Sequence, residues 1–128
     1  MKIYLAASVG RWSHMERYKR IIEQKEELRV VSSWHGAISG QPGREESYMD
    51  LRDIVSADVL ALFLYDKPDW PTKGGKFFEA GYAVARGKIL VTIGTGPCVH
   101  FVETFREREF ISVPDMVKWL LEKRNVNS

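Results

Sequence analysis

The sequence lacks several features on which whole classes of protein depend. Cys98 is its only cysteine, so an intramolecular disulfide framework and a cysteine-rich zinc site are both excluded. No apolar run approaches the roughly 20 residues that a membrane-spanning helix needs. The net charge is only +2, from 19 Lys and Arg against 17 Asp and Glu, whereas proteins that bind duplex nucleic acid carry a clustered basic face. We therefore expect neither a nucleic acid polymer nor a membrane among its partners.

What the sequence does contain is the composition of a globular domain. Of its 128 residues, 45% are hydrophobic and 28% are charged, which is typical of folded soluble chains. A chain of this length buries roughly two-thirds of the surface that its unfolded form exposes. Residues 1–5 lead directly into a strand pattern without the apolar segment of a signal peptide. We expect a single domain over residues 1–128, located in the cytoplasm.

Apolar strand-like runs alternate with amphipathic segments along the whole chain. The predicted strands are residues 2–7, 29–34, 59–65, 88–93 and 109–112, and the predicted helices begin at residues 13, 47, 76 and 114. Ser13 and Ser112 are the expected helix caps. This order requires right-handed crossovers and gives a parallel sheet between two layers of helices. We expect a flavodoxin-like or Rossmann-like α/β sandwich whose five strands lie in the order 2-1-3-4-5.

In such a sheet, ligands bind in the crevice at the carboxyl ends of strands 1 and 3. Residues 8–11 and 66–79 are therefore expected to face one another there. Ser8, Gly10 and Arg11 offer a hydroxyl, a backbone N–H and a guanidinium, which are groups that bind phosphate. A solvated turn at these positions is equally consistent with the sequence.

The most informative stretch is residues 74–83, Gly-Gly-Lys-Phe-Phe-Glu-Ala-Gly-Tyr-Ala. Gly74 and Gly75 follow a buried strand and allow the backbone to approach a ligand, and the next helix offers free N–H groups. Glu79 is expected in or just beyond the first turn of that helix, where the ionised carboxylate of a nucleophile or base is favoured. Taken alone, these residues favour a simpler interpretation, in which Glu79 only complements the helix dipole.

Three motifs together resemble the nucleoside 2-deoxyribosyltransferase superfamily, which includes the 2′-deoxynucleoside 5′-monophosphate N-glycosidases. They are residues 3–8 (Ile-Tyr-Leu-Ala-Ala-Ser), residues 50–58 (Asp-Leu-Arg-Asp-Ile-Val-Ser-Ala-Asp) and residues 74–83. The similarity covers nearly the whole chain in the right order, and the third motif is the most specific. The resemblance implies an enzyme that acts on a small nucleoside or nucleotide. The three histidines show no metal-ligand spacing, and we expect no metal and no cofactor.

The resemblance also implies roles for individual residues. Glu79 matches the glutamate that attacks the anomeric carbon of the sugar and forms a glycosyl-enzyme ester, which a second base or water then attacks. Asp50 matches the aspartate that contacts the base or sugar and assists proton transfer, and Tyr4 matches the tyrosine that positions the nucleophile. In the monophosphate hydrolases, the loop at residues 8–11 holds the 5′-phosphate. Without the resemblance, Asp50 is better explained as part of a helix cap with Ser47, and Tyr4 as an ordinary strand aromatic.

Further positions are less specific. His35, at the end of the second predicted strand, is a candidate hydrogen-bond partner for the base, and the neighbouring Trp34 is expected to be buried. Asp58 is expected to satisfy turn amides. Lys73 stands where the transferases carry an aspartate and the monophosphate hydrolases a serine, so it is either a phosphate ligand or a solvated cation. Ala7 replaces a glycine that is common in the family.

These departures leave transfer and hydrolysis open, and they motivate a second hypothesis: a nucleotide-binding or sensor domain of the same fold without catalysis. A third, a phospho-accepting receiver domain, would use Asp66 at the end of the third strand, but residues 6–9 lack the acidic pair that receivers need. Four Trp and six Phe in so small a domain suggest spare apolar surface. We therefore expect a homodimer or a higher homo-oligomer.

Overall fold

The computed structural model describes residues 1–36, 44–67 and 74–126. It contains a five-stranded parallel sheet in the order β2-β1-β3-β4-β5, which confirms the predicted α/β sandwich and its strand order. The strands are β1 (Lys2–Ala6), β2 (Arg29–Val30), β3 (Val59–Phe63), β4 (Ile89–Ile93) and β5 (Arg108–Phe110). The helices are α1 (Trp12–Ile22), α2 (Arg44–Ser56), α3 (Gly75–Ala85), α4 (His100–Phe105) and α5 (Val113–Val126), and a 3₁₀ turn at Val9–Arg11 precedes α1.

The sheet separates two apolar cores, because successive side chains of a strand point to opposite faces. Ile3 and Leu5 of β1 join the core formed with α1 and α5. Tyr4 and Ala6 join the core formed with α2 and α3. All five residues of β3 are buried, as the continuous apolar run predicted for a central strand. The alternation therefore directs Tyr4 toward α2 and α3.

Strand β2 is much shorter than predicted, because side chains take over its pairing with β1. The backbone N–H of Val31 still donates to the Ile3 carbonyl at 2.9 Å. Beyond that point, the Leu5 N–H donates to Ser32 Oγ at 3.1 Å, and Trp34 Nε1 donates to the Leu5 carbonyl at 2.8 Å. These two side chains satisfy the backbone groups of β1 that a longer β2 would have used.

The ends of the helices test the capping predictions. The prediction that Ser13 caps α1 is wrong: the 3₁₀ turn, closed by an Arg11 N–H bond to the Ser8 carbonyl at 2.9 Å, starts α1 one residue earlier. Ser112 does cap α5, since its Oγ accepts from the Asp115 N–H at 3.3 Å. Helix α4 was not predicted. It has only six residues and one buried side chain, Val102, so its sequence carries no periodic apolar stripe.

Candidate active site

The centre of the candidate site is a contact between β1 and α3. Tyr4 is fully buried, and its hydroxyl donates to a carboxylate oxygen of Glu79. Burial, and then the negative charge of Glu79, raises the pKa of Tyr4 well above its ordinary value. The tyrosine therefore keeps its proton and acts as a fixed hydrogen-bond donor to the carboxyl.

Glu79 lies in an environment that disfavours its charge. Burial raises its pKa to about 8; the Tyr4 hydrogen bond opposes this, and the charge of Asp50 adds to it. The expectation of an ionised carboxylate at this position is therefore wrong at neutral pH. The physical reason is that α3 begins at Gly75 and has no acid in its first turn, so Glu79 is too far along the helix to benefit from the N-terminal dipole. The same fact removes the interpretation of Glu79 as a dipole complement.

Asp50 is the third member of the group and comes from α2. Its side chain is half-buried, and burial, followed by the charges of Asp53 and Glu46, raises its pKa to about 6. Its own charge raises the pKa of both Tyr4 and Glu79, which places it near them. Asp50 lies well inside α2, because that helix begins at Arg44. The capping alternative, which required a helix start at Ser47, is therefore excluded.

Arg11, one of the residues predicted to line a crevice at the carboxyl ends of β1 and β3, reaches the end of β3. Arg11 is buried, its guanidinium lies 5.3 Å from the centre of the Phe63 ring, and its Nη1 donates to the Tyr65 carbonyl at 3.0 Å. Burial lowers its pKa from the ordinary value. Ser8 is buried beside it, and Gly10 lies in the 3₁₀ turn. Arg11 therefore contacts the carboxyl end of β3, and protein groups hold its guanidinium there.

The glycine pair opens α3 as predicted. Gly74 has a left-handed conformation with φ of +76°, and its carbonyl accepts from the N–H groups of Phe77 and Phe78 at 3.1 and 3.3 Å. A side chain at Gly74 would be strained for this reason, although nothing lies within 4 Å of an added Cβ. Gly75 is the first residue of the helix. Lys73 and most of the two predicted loops lie outside the described residues.

His35 is placed differently from the other candidates. It is 1% exposed; its Nε2 is 2.8 Å from Ser32 Oγ, and its Nδ1 is 2.5 Å from Glu16 Oε2. Burial lowers its pKa, against the opposing effect of Glu16. Among the contacts of the described residues, none joins His35 to Glu79 or Asp50. Both ring nitrogens serve a chain of hydrogen bonds that ends on the β1 backbone at Leu5.

Two further acidic residues have structural contacts. Asp58 accepts from the Lys2 N–H at 2.8 Å, so its role is structural, as expected, but it fixes the start of β1 and not an amide of its own turn. Asp53 accepts from the N–H and hydroxyl of Ser33 at 3.1 and 2.7 Å. Its charge also raises the pKa of Asp50, an effect that sequence reasoning missed. The three-residue spacing of Asp50 and Asp53 on one helix was the available signal.

An apolar groove borders the helix that carries Glu79. It has a volume of about 510 Å³ and lies between α3 and α4. Phe78, Phe101 and Phe105 on its rim are more than half exposed, and Gly81 and Ala85 form part of its lining.

Over the described ranges, no helix is long and apolar enough to cross a membrane, and no group of three or more potential metal ligands occurs.

Comparison with known proteins returns matches among solved structures. No family model and no curated protein matches the chain. A 2-deoxyribosyltransferase from the psychrotolerant bacterium Bacillus psychrosaccharolyticus shares 21% identity over 91% of this chain and 90% of its own, with a TM-score of 0.66. The CMP N-glycosidase BcmB of Clostridium botulinum shares 18% identity over 94% and 98%, with a TM-score of 0.58. A conserved protein from Enterococcus faecalis V583 shares 16% identity over 96% and 98%, with a TM-score of 0.75.

These structural neighbours have the same α/β fold as this chain. At 16–21% identity, the likeness shows a shared fold. It extends over nine-tenths or more of each of these three chains. What this chain does must therefore be argued from its own side chains.

Proposed function

We propose that the protein cleaves the N-glycosidic bond of a nucleoside or deoxynucleoside, or of its 5′-monophosphate, and transfers the sugar to another base or to water. The observation that carries this proposal is the contact of Glu79 with the Tyr4 hydroxyl beside Asp50. It joins one residue from each of the three motifs that suggested the superfamily. Proteins with this fold include a 2-deoxyribosyltransferase and a CMP N-glycosidase, which agrees with the proposed reaction class.

In the proposed reaction, an oxygen of ionised Glu79 attacks the anomeric carbon of the sugar. The bond from that carbon to the base nitrogen breaks, and its electron pair leaves with the base, which takes a proton from Asp50. The product is an ester between Glu79 and the sugar. A second base or a water molecule then attacks the same carbon and gives its proton to the Asp50 carboxylate; the ester bond breaks, and Glu79 leaves as a carboxylate. This is the double displacement of retaining glycosidases.

The two carboxyl groups set the pH range of this reaction. Their pKa values are about 6 for Asp50 and about 8 for Glu79, so between these values the pair holds one proton. The reaction uses the form in which that proton is on Asp50 and Glu79 is ionised. We expect a bell-shaped dependence of kcat/KM on pH, with a maximum between about pH 6 and 8.

The test is an assay of products from a panel of deoxynucleosides and their monophosphates, with and without a free acceptor base. Base release without acceptor indicates hydrolysis, and exchange only with acceptor indicates transfer. A preference for monophosphates would support a phosphate role for Ser8, Gly10 and Arg11, with Lys73 as a further candidate. Glu79→Gln, which keeps the shape of the side chain, is expected to lower the rate by at least about 10⁴-fold. Full activity in that variant would reject the proposal.

The raised pKa of Glu79 favours one alternative, a nucleotide-binding or sensor domain without catalysis. At neutral pH the carboxyl is mostly protonated, and a protonated carboxyl is a poor nucleophile but a good hydrogen-bond donor. This alternative predicts micromolar binding of nucleotides with no base release at any pH between 5 and 9. The enzymatic proposal predicts turnover that is lost with Glu79→Gln.

We also propose that a second copy of the chain covers the apolar groove between α3 and α4. The face is self-complementary, as a twofold interface requires: Phe101 and Phe78 protrude with 73% and 67% exposure beside a groove over Gly81 and Ala85. The groove lining contains no charged side chain. Light scattering is expected to show a dimer or larger assembly that Phe101→Ser weakens. A monomer at working concentration would contradict this part of the proposal.

A further inference from the structure

Lys76 is a buried lysine with a complete set of partners at the edge of the candidate site. It lies in the first turn of α3 and is 6% exposed. Its Nζ donates to the carbonyls of Phe63 and Leu64 at 3.0 and 3.3 Å and to Asp66 Oδ2 at 2.7 Å. An ammonium group has three hydrogens to donate, so the hydrogen-bonding capacity of Lys76 is fully used. Every partner lies at or just beyond the carboxyl end of β3.

This arrangement is unfavourable for stability in two separate ways. A cation in the first turn of a helix faces the positive end of the helix dipole. Lysine is almost never fully buried unless it is paired, and the carboxylate that pairs with Lys76 has its second oxygen, Asp66 Oδ1, buried with no hydrogen-bond partner among the described residues. Proteins tolerate such local costs chiefly where function needs them, and this one occurs three residues before Glu79.

The contacts of Lys76 fix α3 relative to β3, which pairs with the strand that carries Tyr4. Residues three apart on a helix lie on the same side, so Lys76 and Glu79 both face the sheet. Lys76 joins the first turn of α3 to the end of β3, and β3 pairs with β1, where Tyr4 stands opposite Leu60. Two connections therefore hold the Glu79 carboxyl against the Tyr4 hydroxyl. One is the hydrogen bond between them, and the other runs from Lys76 through β3 to β1.

We propose that Lys76 is a positioning residue for Glu79: bound to Asp66 and the end of β3, it holds the Glu79 carboxyl against Tyr4 and away from water. The expected change in reaction rate rests on the proposed function, whereas the expected change in the pKa of Glu79 does not. Loss of the Lys76 charge and loss of its positioning have opposite effects on that pKa. Removal of a nearby cation would raise the pKa of Glu79, whereas entry of water would lower it.

The experiment compares Lys76→Met with a matched control, Lys88→Met. Lys88 also donates from Nζ to a backbone carbonyl, that of Val55 at 2.8 Å, but it precedes β4 and so lies at the opposite end of the sheet from the crevice. Glutamate labelled with ¹³C in the side-chain carboxyl allows the titration of Glu79 to be followed by NMR. Thermal unfolding and the separate values of kcat and KM are measured on the same samples.

For Lys76→Met we expect the Glu79 titration midpoint to fall by about one pH unit or more from about 8. We expect kcat to fall about 10- to 100-fold, because small displacements of a reacting group have effects of that size, and KM to change less than about threefold. Lys88→Met is expected to lower only the unfolding temperature. Asp66→Asn, which preserves the shape of the pair, is expected to act in the same direction as Lys76→Met and more weakly, and it replaces that variant if the latter does not fold.

An unchanged or raised Glu79 midpoint in Lys76→Met would overturn the inference. So would an unchanged kcat together with any loss of stability, since Lys76 would then have a purely structural role. If the unmodified protein releases no base, the proposed function fails, but the titration still decides whether Lys76 positions Glu79.

Discussion

Among the described residues, the groups of side chains around His35 and around Glu79 differ in how completely their partners satisfy them. In one, Glu16, His35 and Ser32 form a chain in which both ring nitrogens of the histidine have partners. In the other, Glu79 has the Tyr4 hydroxyl on one side and the like charge of Asp50 nearby. In the first group, both ring nitrogens of His35 are satisfied within the protein, and the group supports β1. In the second group, burial opposes the charge of two neighbouring carboxyl groups and raises the pKa of both. Under the proposed function, the substrate would interact with this second group.

The two groups also make stability depend on pH in opposite directions. Glu79 keeps its proton in the folded chain to about pH 8, against an ordinary value of 4.5. The folded state therefore binds more protons between these values, and the free energy of unfolding falls as pH rises through them. Burial lowers the pKa of His35 below its ordinary 6.5. The unfolded state then binds more protons near and below that value, so stability falls as pH drops through it.

After loss of the nucleophile itself, the largest effect on the rate is expected from Asp50→Asn. This variant removes both the proposed proton donor and the like charge that raises the pKa of Glu79. Base release is expected to fall about 100-fold, which is typical for loss of a general acid. The bell-shaped pH profile should become a single limb that rises with pH and has its midpoint below that of Glu79 in the unmodified protein. A pH–rate profile that keeps both limbs would show that Asp50 is not the second titrating group.

Glu79→Gln tests how the raised pKa of Glu79 affects the free energy of unfolding. Because it removes a buried acid that must lose its proton as pH rises, it is expected to raise the free energy of unfolding by about 3–4 kcal/mol more at pH 8 than at pH 5. Urea unfolding at pH 5 and pH 8 measures the change. A stability difference between variant and unmodified protein that is the same at both pH values would contradict the raised pKa of Glu79.

His35→Ala tests the complete group. It leaves Ser32 and Glu16 without their partner, and we expect the free energy of unfolding at pH 7 to fall by about 1–2 kcal/mol. The limbs of the pH–rate profile should stay in place, because His35 is not joined to Glu79. A large loss of activity without loss of stability would instead return His35 to the substrate-binding role that the sequence suggested.

The smallest effect is expected from Tyr4→Phe, which keeps the ring and removes the hydroxyl. The Tyr4 hydrogen bond lowers the pKa of Glu79, so its loss should move the alkaline limb of the profile to higher pH and lower the rate about tenfold. The direction is opposite to the shift expected for Asp50→Asn. Shifts in the same direction for both variants would contradict the assignment of their two effects on Glu79.

The fold was predictable because alternating strands and helices determine the parallel sheet. The grouping of Tyr4 with Glu79 was expected only from the family resemblance, and the structure shows its physical basis: the alternation of side chains along β1 directs Tyr4 toward α3. The length of β2 was not predictable in the same way, because Ser32 and Trp34 replace its pairing with bonds to Leu5. Such bonds depend on where a side chain falls in three dimensions.

The electrostatic state of the site was also beyond sequence reasoning. The position of Glu79 near a helix start predicted an ionised carboxylate, but burial has the larger effect and raises its pKa to about 8. The role of Lys76 was missed for the same reason. A lysine two residues after Gly74 looks solvent-exposed in the sequence, and only the packed structure shows it 6% exposed against the end of β3.

The most direct test of the central claim is the stereochemistry of sugar transfer. With methanol as acceptor and a β-deoxynucleoside or its monophosphate as donor, the anomer of the methyl glycoside is fixed at formation and can be identified by proton NMR. Attack by Glu79 followed by attack of methanol predicts the β-glycoside, with retained configuration. Formation of the α-glycoside would mean a single direct displacement and would contradict the covalent role of Glu79.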